Sequence, residues 1–133
     1  MDIRRGGLSQ VFERVEGIDQ LANMIEKLML TTLGSDAENP NAGCYLKSFV
    51  GQNMSDIEDA VPDIDQEVRR VEKYVINEQS RMLQQGADLD RNTLLRSLDM
   101  TKIKVNQKNG SMKMTYRIIT RGGEGLEREL FSE

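Results

Sequence analysis

Residues Thr101–Thr120 read TKIKVNQKNGSMKMTYRIIT, two strand-like runs flanking Asn109-Gly110, the dipeptide that best suits a two-residue type I′ hairpin turn. Pairing Lys108 with Ser111 across that turn places Thr101, Ile103, Val105 and Gln107 opposite Ile118, Tyr116, Met114 and Met112, so one face is mostly apolar. The reverse face carries Lys102, Lys104 and Asn106 opposite Arg117, Thr115 and Lys113 and is basic. A two-stranded ribbon is marginal alone in water. Its edges therefore require further strands or a helix, which points to an assembly protein.

Working back from the hairpin, Ile18, Leu21, Ala22, Ile25, Leu28, Met29 and Leu33 fall on one helical stripe, with Asp19, Asn23, Glu26 and Lys27 on the other side. Gly34 stands where a left-handed residue would close that helix. Ser35 to Gly43 has turn chemistry and no periodicity, and the bulky Cys44, Tyr45, Leu46, Phe49 and Val50 suit a short helix ending near Gly51. Ser55-Asp56-Ile57-Glu58 has the form of a capping box, so a second helix begins there. It is either interrupted at Pro62 or restarted with Pro62 in its first turn. Ile57, Val61, Ile64, Val68, Val71, Val75 and Met82 continue its stripe. Glu67, Arg69, Arg70, Glu72, Lys73 and Glu78 cover its exposed side, and Gln84-Gln85-Gly86 ends it.

Helices first and strands last predict an α+β fold, N-terminal helices packed on a small C-terminal antiparallel β-sheet that contains the hairpin. The reading is one domain: a docking arm over 1–17, a helical part over 18–98, the hairpin over 99–121 and a tail over 122–133. Leu94, Leu95 and Leu98 are assigned to a polar connector with one helical turn. The glycine-hinged tail is expected to dock in an assembly.

Composition restricts function. The chain of 133 residues has no His and no Trp, one Cys, eight Met and a formal charge of -4. Without His the usual acid-base group at neutral pH is missing, Cys44 has no imidazole to activate it, and a zinc site is disfavoured. Gly122-Gly123-Glu124-Gly125 lacks the Lys-Ser or Lys-Thr of a phosphate loop. Carboxylate pairs such as Glu67 with Glu72 arise by chance on helical surfaces. Nothing suggests one carboxyl held protonated for glycoside hydrolysis. No cofactor is expected. The mild acidity and scattered cations argue against nucleic acid, and the apolar clusters are too short to span a membrane. Met24, Met29, Met82, Met112 and Met114 read as core, Cys44 as a small buried hydrophobe. For the hairpin lysines, a solvated face and an acidic partner surface remain equally open.

Val15-Glu16-Gly17-Ile18, Leu21, Ile25, Leu30-Thr31-Thr32, Gly34, Pro40, Gly43 and Leu46, in this order and spacing, resemble the phage baseplate wedge and sheath-initiator family, which is related to a type VI secretion baseplate component. The resemblance implies a non-enzymatic structural protein of a contractile tail baseplate, assembled in the host cytoplasm into the virion in six copies. Its implied partners are the sheath protein and other wedge proteins, with the tail tube as a further candidate neighbour. Extended sheath arms would add strands to its sheet, making Lys102, Lys104, Lys113, Thr115, Arg117 and Ile119 the candidate sheath contacts. Many members carry Glu-Pro-Arg near the end of the second helix as the contact to the wedge core bundle. This chain lacks it, leaving Glu67 with Arg69, or Asp90 with Arg91, as substitutes. The family is sometimes labelled lysozyme-like, so a peptidoglycan-cleaving enzyme is one rival reading; a small bacterial adaptor of the same fold is another.

Overall fold

The computed structural model describes residues 17–49, 57–106 and 111–130. The arm ahead of Gly17, the capping-box residues Ser55 and Asp56, and the turn at Asn109-Gly110 lie outside them. The order is helix α1 (Ile18–Met29), helix α2 (Ile57–Gln84), then strands β1 (Leu95–Asn106), β2 (Ser111–Thr120) and β3 (Gly125–Leu130) in one antiparallel sheet of order β1-β2-β3. The fold class is thus α+β, helices before sheet. No helix among the described residues is long and apolar enough to cross a membrane.

The α1 stripe buries Leu21, Ala22, Ile25 and Met29 completely, with Asp19 in its first turn and Lys27 in its last, both signs matching the helix dipole. The expected closure at Gly34 is wrong: the helix ends at Met29. The Thr31 hydroxyl donates to the Lys27 carbonyl at 2.7 Å, and Thr32 enters a parallel bridge with Cys44. Two bonds fix that bridge, from Cys44 N–H to Thr31 C=O (2.9 Å) and from Leu33 N–H to Cys44 C=O (3.1 Å). Gly43, at φ +106°, makes it possible, because a Cβ there would lie 2.5 Å from the Thr31 oxygen. Leu30-Thr31-Thr32 and Gly43, separate in sequence, meet in this one device. A 3-10 turn over Leu46–Phe49 then buries Leu46.

Helix α2 runs unbroken through Pro62, which falls in its second turn, so it is neither interrupted nor restarted there. Ile64, Val68, Val71, Val75 and Met82 line its buried side. Gly86 closes it at φ +93° with Ala87 N–H donating to Met82 C=O and Gly86 N–H to Leu83 C=O, the paired bonds of a Schellman motif.

The boundaries after α2 differ from expectation. Between α2 and the sheet the described residues form one helical turn, the 3-10 turn Arg91–Thr93, capped by the Asp90 carboxylate accepting from Asn92 N–H, and β1 already starts at Leu95. Leu95 and Leu98 are core residues of a strand. The register also moves by two: Ser111 pairs with Asn106, Ile103 with Met114 and Lys104 with Lys113. A shift of two preserves the faces. A bulge at Thr101 does not: Met100 pairs with Tyr116 and Leu98 with Ile118, so the even-numbered residues turn inward below the bulge. Thr101, expected on the apolar face, is exposed, its hydroxyl donating to Thr115 C=O at 3.3 Å.

The expected hinged tail is strand β3, paired from Gly125↔Ile119 to Leu130↔Met114. Its connection is tight, with Gly123 N–H donating to Thr120 C=O and Thr120 N–H to Glu124 C=O. Gly122-Gly123-Glu124-Gly125 is therefore a hairpin turn. The inner face of the sheet, with Tyr116, Met112, Met114 and Ile118 almost fully buried, packs against both helices, and the Tyr116 hydroxyl donates to the Glu26 carboxylate of α1.

Candidate functional site

The outer face of the sheet is built in cross-strand rows. Lys104 stands opposite Lys113; below them come Lys102, Thr115 and Glu129, then Asp99, Arg117 and Glu127, then Ser97, Ile119 and Gly125. The face is thus not uniformly basic, as the hairpin alone implied. β3 adds Glu127 and Glu129, and the start of β1 adds Asp99. Arg117 lies between two acids by register, and Ile119 is half-buried between Ser97 and Gly125. Positive charge is concentrated toward the hairpin end. There Lys102, Lys104, Lys113, Thr115 and Glu129 surround a hollow of about 80 Å³. Lys113 reaches Glu129 at 3.3 Å. The facing Lys104 and Lys113 repel one another.

The outer edge of β1 is the second feature. Leu95 and Leu98 turn their N–H groups away from β2, and α2 supplies the acceptors: Gln79 Oε1 at 2.8 Å and Glu72 Oε2 at 2.8 Å. Gln79 also donates through Nε2 to Thr93 C=O at 2.6 Å. One buried side-chain amide therefore does for the start of β1 what a peptide group of a neighbouring strand would do. Arg69 then ties the Asp99 and Glu72 side chains together, at 2.6 Å and 2.9 Å. Among the described residues, no bond of this kind reaches the outer edge beyond Asp99, where Thr101, Lys102 and Lys104 are exposed. By the ladder's alternation, carried through the bulge, Ile103 turns its N–H and C=O to that edge.

Glu72 and Gln79 had no place in the sequence-based site. The signal for Gln79 was present as a polar residue in the apolar stripe between Val75 and Met82, at 3% exposure. A buried amide on such a stripe must have partners.

The two substitutes for the wedge-core motif do not converge. Gln79, which bonds Thr93 next to the Asp90–Arg91 turn, lies ten residues along α2 from Arg69, about 15 Å at a helical rise of about 1.5 Å per residue. Each of the four residues also has internal work. Glu67, expected on the exposed side, is buried and accepts from Tyr45 N–H (2.9 Å) and Arg70 Nε (3.1 Å), while Arg70 lies over the Tyr45 ring. Asp90 caps its turn, and Arg91 donates to Arg121 C=O at 3.2 Å. Glu67 and Glu72 point to separate bonds, so they do not form a facing carboxylate pair.

Cys44 is buried, and burial pushes its thiol up to about 11 from 9.0, opposite to what a nucleophile needs. Tyr74 is raised to about 12 by burial and then by Glu78. Burial, then the bond to Glu26, raises Tyr116 as well. No group of three or more potential metal ligands occurs among the described residues. Comparison with models of known protein families and with curated proteins finds no match.

Proposed function

We propose that this chain is a non-enzymatic structural component of a contractile tail baseplate, a sheath initiator that accepts an extended arm of the first sheath ring as an added strand. One observation carries the reading: side chains of α2 accept from outward amides of β1 as far as Leu98 and, among the described residues, none does so at Thr101–Lys104. An unpaired strand edge is a template for another chain. Edges that serve no partner are kept short, bulged or charged. β3 fits that description, being six residues long with Glu127 and Glu129 exposed. β1 is also bulged and carries Lys102 and Lys104, but it continues for several residues past its bulge. The order of Leu30-Thr31-Thr32, Gly34, Pro40, Gly43 and Leu46, which resembles the sheath-initiator family, supports the same reading. The helical side is left for the other wedge proteins, and the virion for the location.

The test is sheath assembly. Purified sheath protein of the same tail is followed by light scattering with and without this chain, and the products are imaged by negative stain. A shortened lag, with labelled chain at one end of each sheath, is expected. An unchanged lag with no end labelling refutes the proposal.

A further inference from the structure

The lysine end of the sheet has a consequence for what can add to it. Lys102 and Lys104 project on one face from alternate positions of β1 and, among the described residues, neither has a carboxylate within 4.0 Å; Lys113, the third cation of the hollow, has Glu129. These two lysines border the stretch of edge at which, among the described residues, α2 places no side-chain acceptor. A strand laid along β1 would run about 4.8 Å away and place residues two apart opposite Lys102 and Lys104 on the same face. The residue between them would point to the other face, alongside Ile103, which packs against the core.

We infer that the segment received at this edge carries an acid–apolar–acid triplet, its carboxylates seated beside Lys102 and Lys104 at the mouth of the hollow and its central side chain over Ile103. The inference rests on the strand-addition reading and adds the sequence pattern of the partner. Two carboxylates brought to these ammonium groups relieve the repulsion between Lys104 and Lys113. A strand with lysines at the same positions would enlarge it. The charge pattern therefore selects partners as well as attracting them. Bonds from the backbone of Ile103 supply sequence-independent attraction, and the lysines supply the choice.

The test uses the full chain and two acetylated, amidated nine-residue peptides that differ only at the fourth and sixth positions. One has glutamate there and the other lysine, with valine between and neutral β-formers elsewhere. Binding is read by fluorescence anisotropy at low salt, and by hydrogen exchange at the Ile103 amide. The glutamate peptide is expected to bind at least tenfold more tightly and to protect that amide. The double variant Lys102→Glu/Lys104→Glu, folded as judged by circular dichroism and melting, is expected to reverse the preference. The neutral variant Lys102→Gln/Lys104→Gln is expected to erase it. Equal affinities, absence of binding by both peptides, or a preference unchanged by the double reversal overturns the inference. The outcomes separate it from its premise. A shortened sheath lag that survives the double reversal removes the charge pattern alone, whereas discrimination between peptides with no effect on sheath assembly removes the sheath reading and keeps the pattern.

Discussion

Gln79 is where the edge of the sheet is most exposed to test. Its amide is 3% exposed and makes two bonds, 2.6 Å to Thr93 C=O and 2.8 Å to Leu95 N–H, and both partners are themselves 1% exposed. Gln79→Met keeps the length and packing of the side chain and removes both bonds. Two buried backbone groups are then left without partners, at about 1–3 kcal/mol each, so a loss of about 2–6 kcal/mol is expected from a total that for such domains is about 5–15 kcal/mol. With 133 residues the unfolding entropy is about 0.28 kcal/mol/K, which converts that loss to a fall in Tm of roughly 7–21 °C. Gln79→Glu supplies a second signature. A neutral carboxyl can still donate to Thr93 C=O and accept from Leu95 N–H, but a carboxylate cannot donate. Burial raises the folded pKa of the introduced carboxyl above its unfolded value of about 4.3. Its stabilisation is therefore present below about pH 4 and is lost as pH rises through the folded pKa. The assays are thermal melts at pH 4 and pH 7 and hydrogen exchange at the Leu95 amide. Gln79→Met melting within about 2 °C of the parent, with Leu95 exchange unchanged, would refute the claim that this side chain stands in for a strand.

Three further outcomes follow from the core. Tyr116→Asp puts a carboxylate at a fully buried position beside Glu26 and is expected to unfold the chain, whereas Tyr116→Phe costs about 1–2 kcal/mol by chemical denaturation. Gly43→Ala forces a Cβ to within 2.5 Å of the Thr31 oxygen at φ +106°, and a loss of about 2–3 kcal/mol is expected, with the Cys44 amide exchanging faster. Cys44 ionises near 9.0 when unfolded and near 11 when folded. Stability is thus full below pH 9 and falls between pH 9 and pH 11, because the unfolded state loses the proton first; Cys44→Ala should flatten that part of a denaturation-against-pH curve. At pH 8.5 the folded thiol should alkylate about 100-fold more slowly than the urea-unfolded one.

The helices were legible because burial on one side leaves a period that no other structure shares. α1 as far as Met29, the α2 stripe from Ile64 to Met82, and Met24, Met29 and Met82 lie where that period puts them. The misreadings have local causes. Gly34 has the residue type of a helix cap, but the cap competes with a bridge from Thr32 to Cys44, twelve residues on, and no local rule contains that partner. Leu95 and Leu98 looked helical because two bulges break the alternation by which a strand is recognised. β3 was hidden for a different reason: its inward positions are Leu126, Arg128 and Leu130, and Arg128, which bonds Asn23 and Asp19 of α1, interrupts the apolar pattern. The lysines of the outer face were correctly grouped from the hairpin. Their acidic neighbours came from that unrecognised strand.

The bulge at Thr101 links these observations. It reverses which residues of β1 point inward, so the strand can serve two surroundings with one backbone. Below it, Leu95 and Leu98 point into the core and their outward amides are consumed by Gln79 and Glu72. Above it, Lys102 and Lys104 flank Ile103, and that odd-numbered position, not the even-numbered ones, lies on the apolar side of the register. A bulged strand bends and twists locally. An edge divided in this way limits strand addition to a few residues, enough to set register and choose a partner by charge, and too short to favour indiscriminate sheet growth.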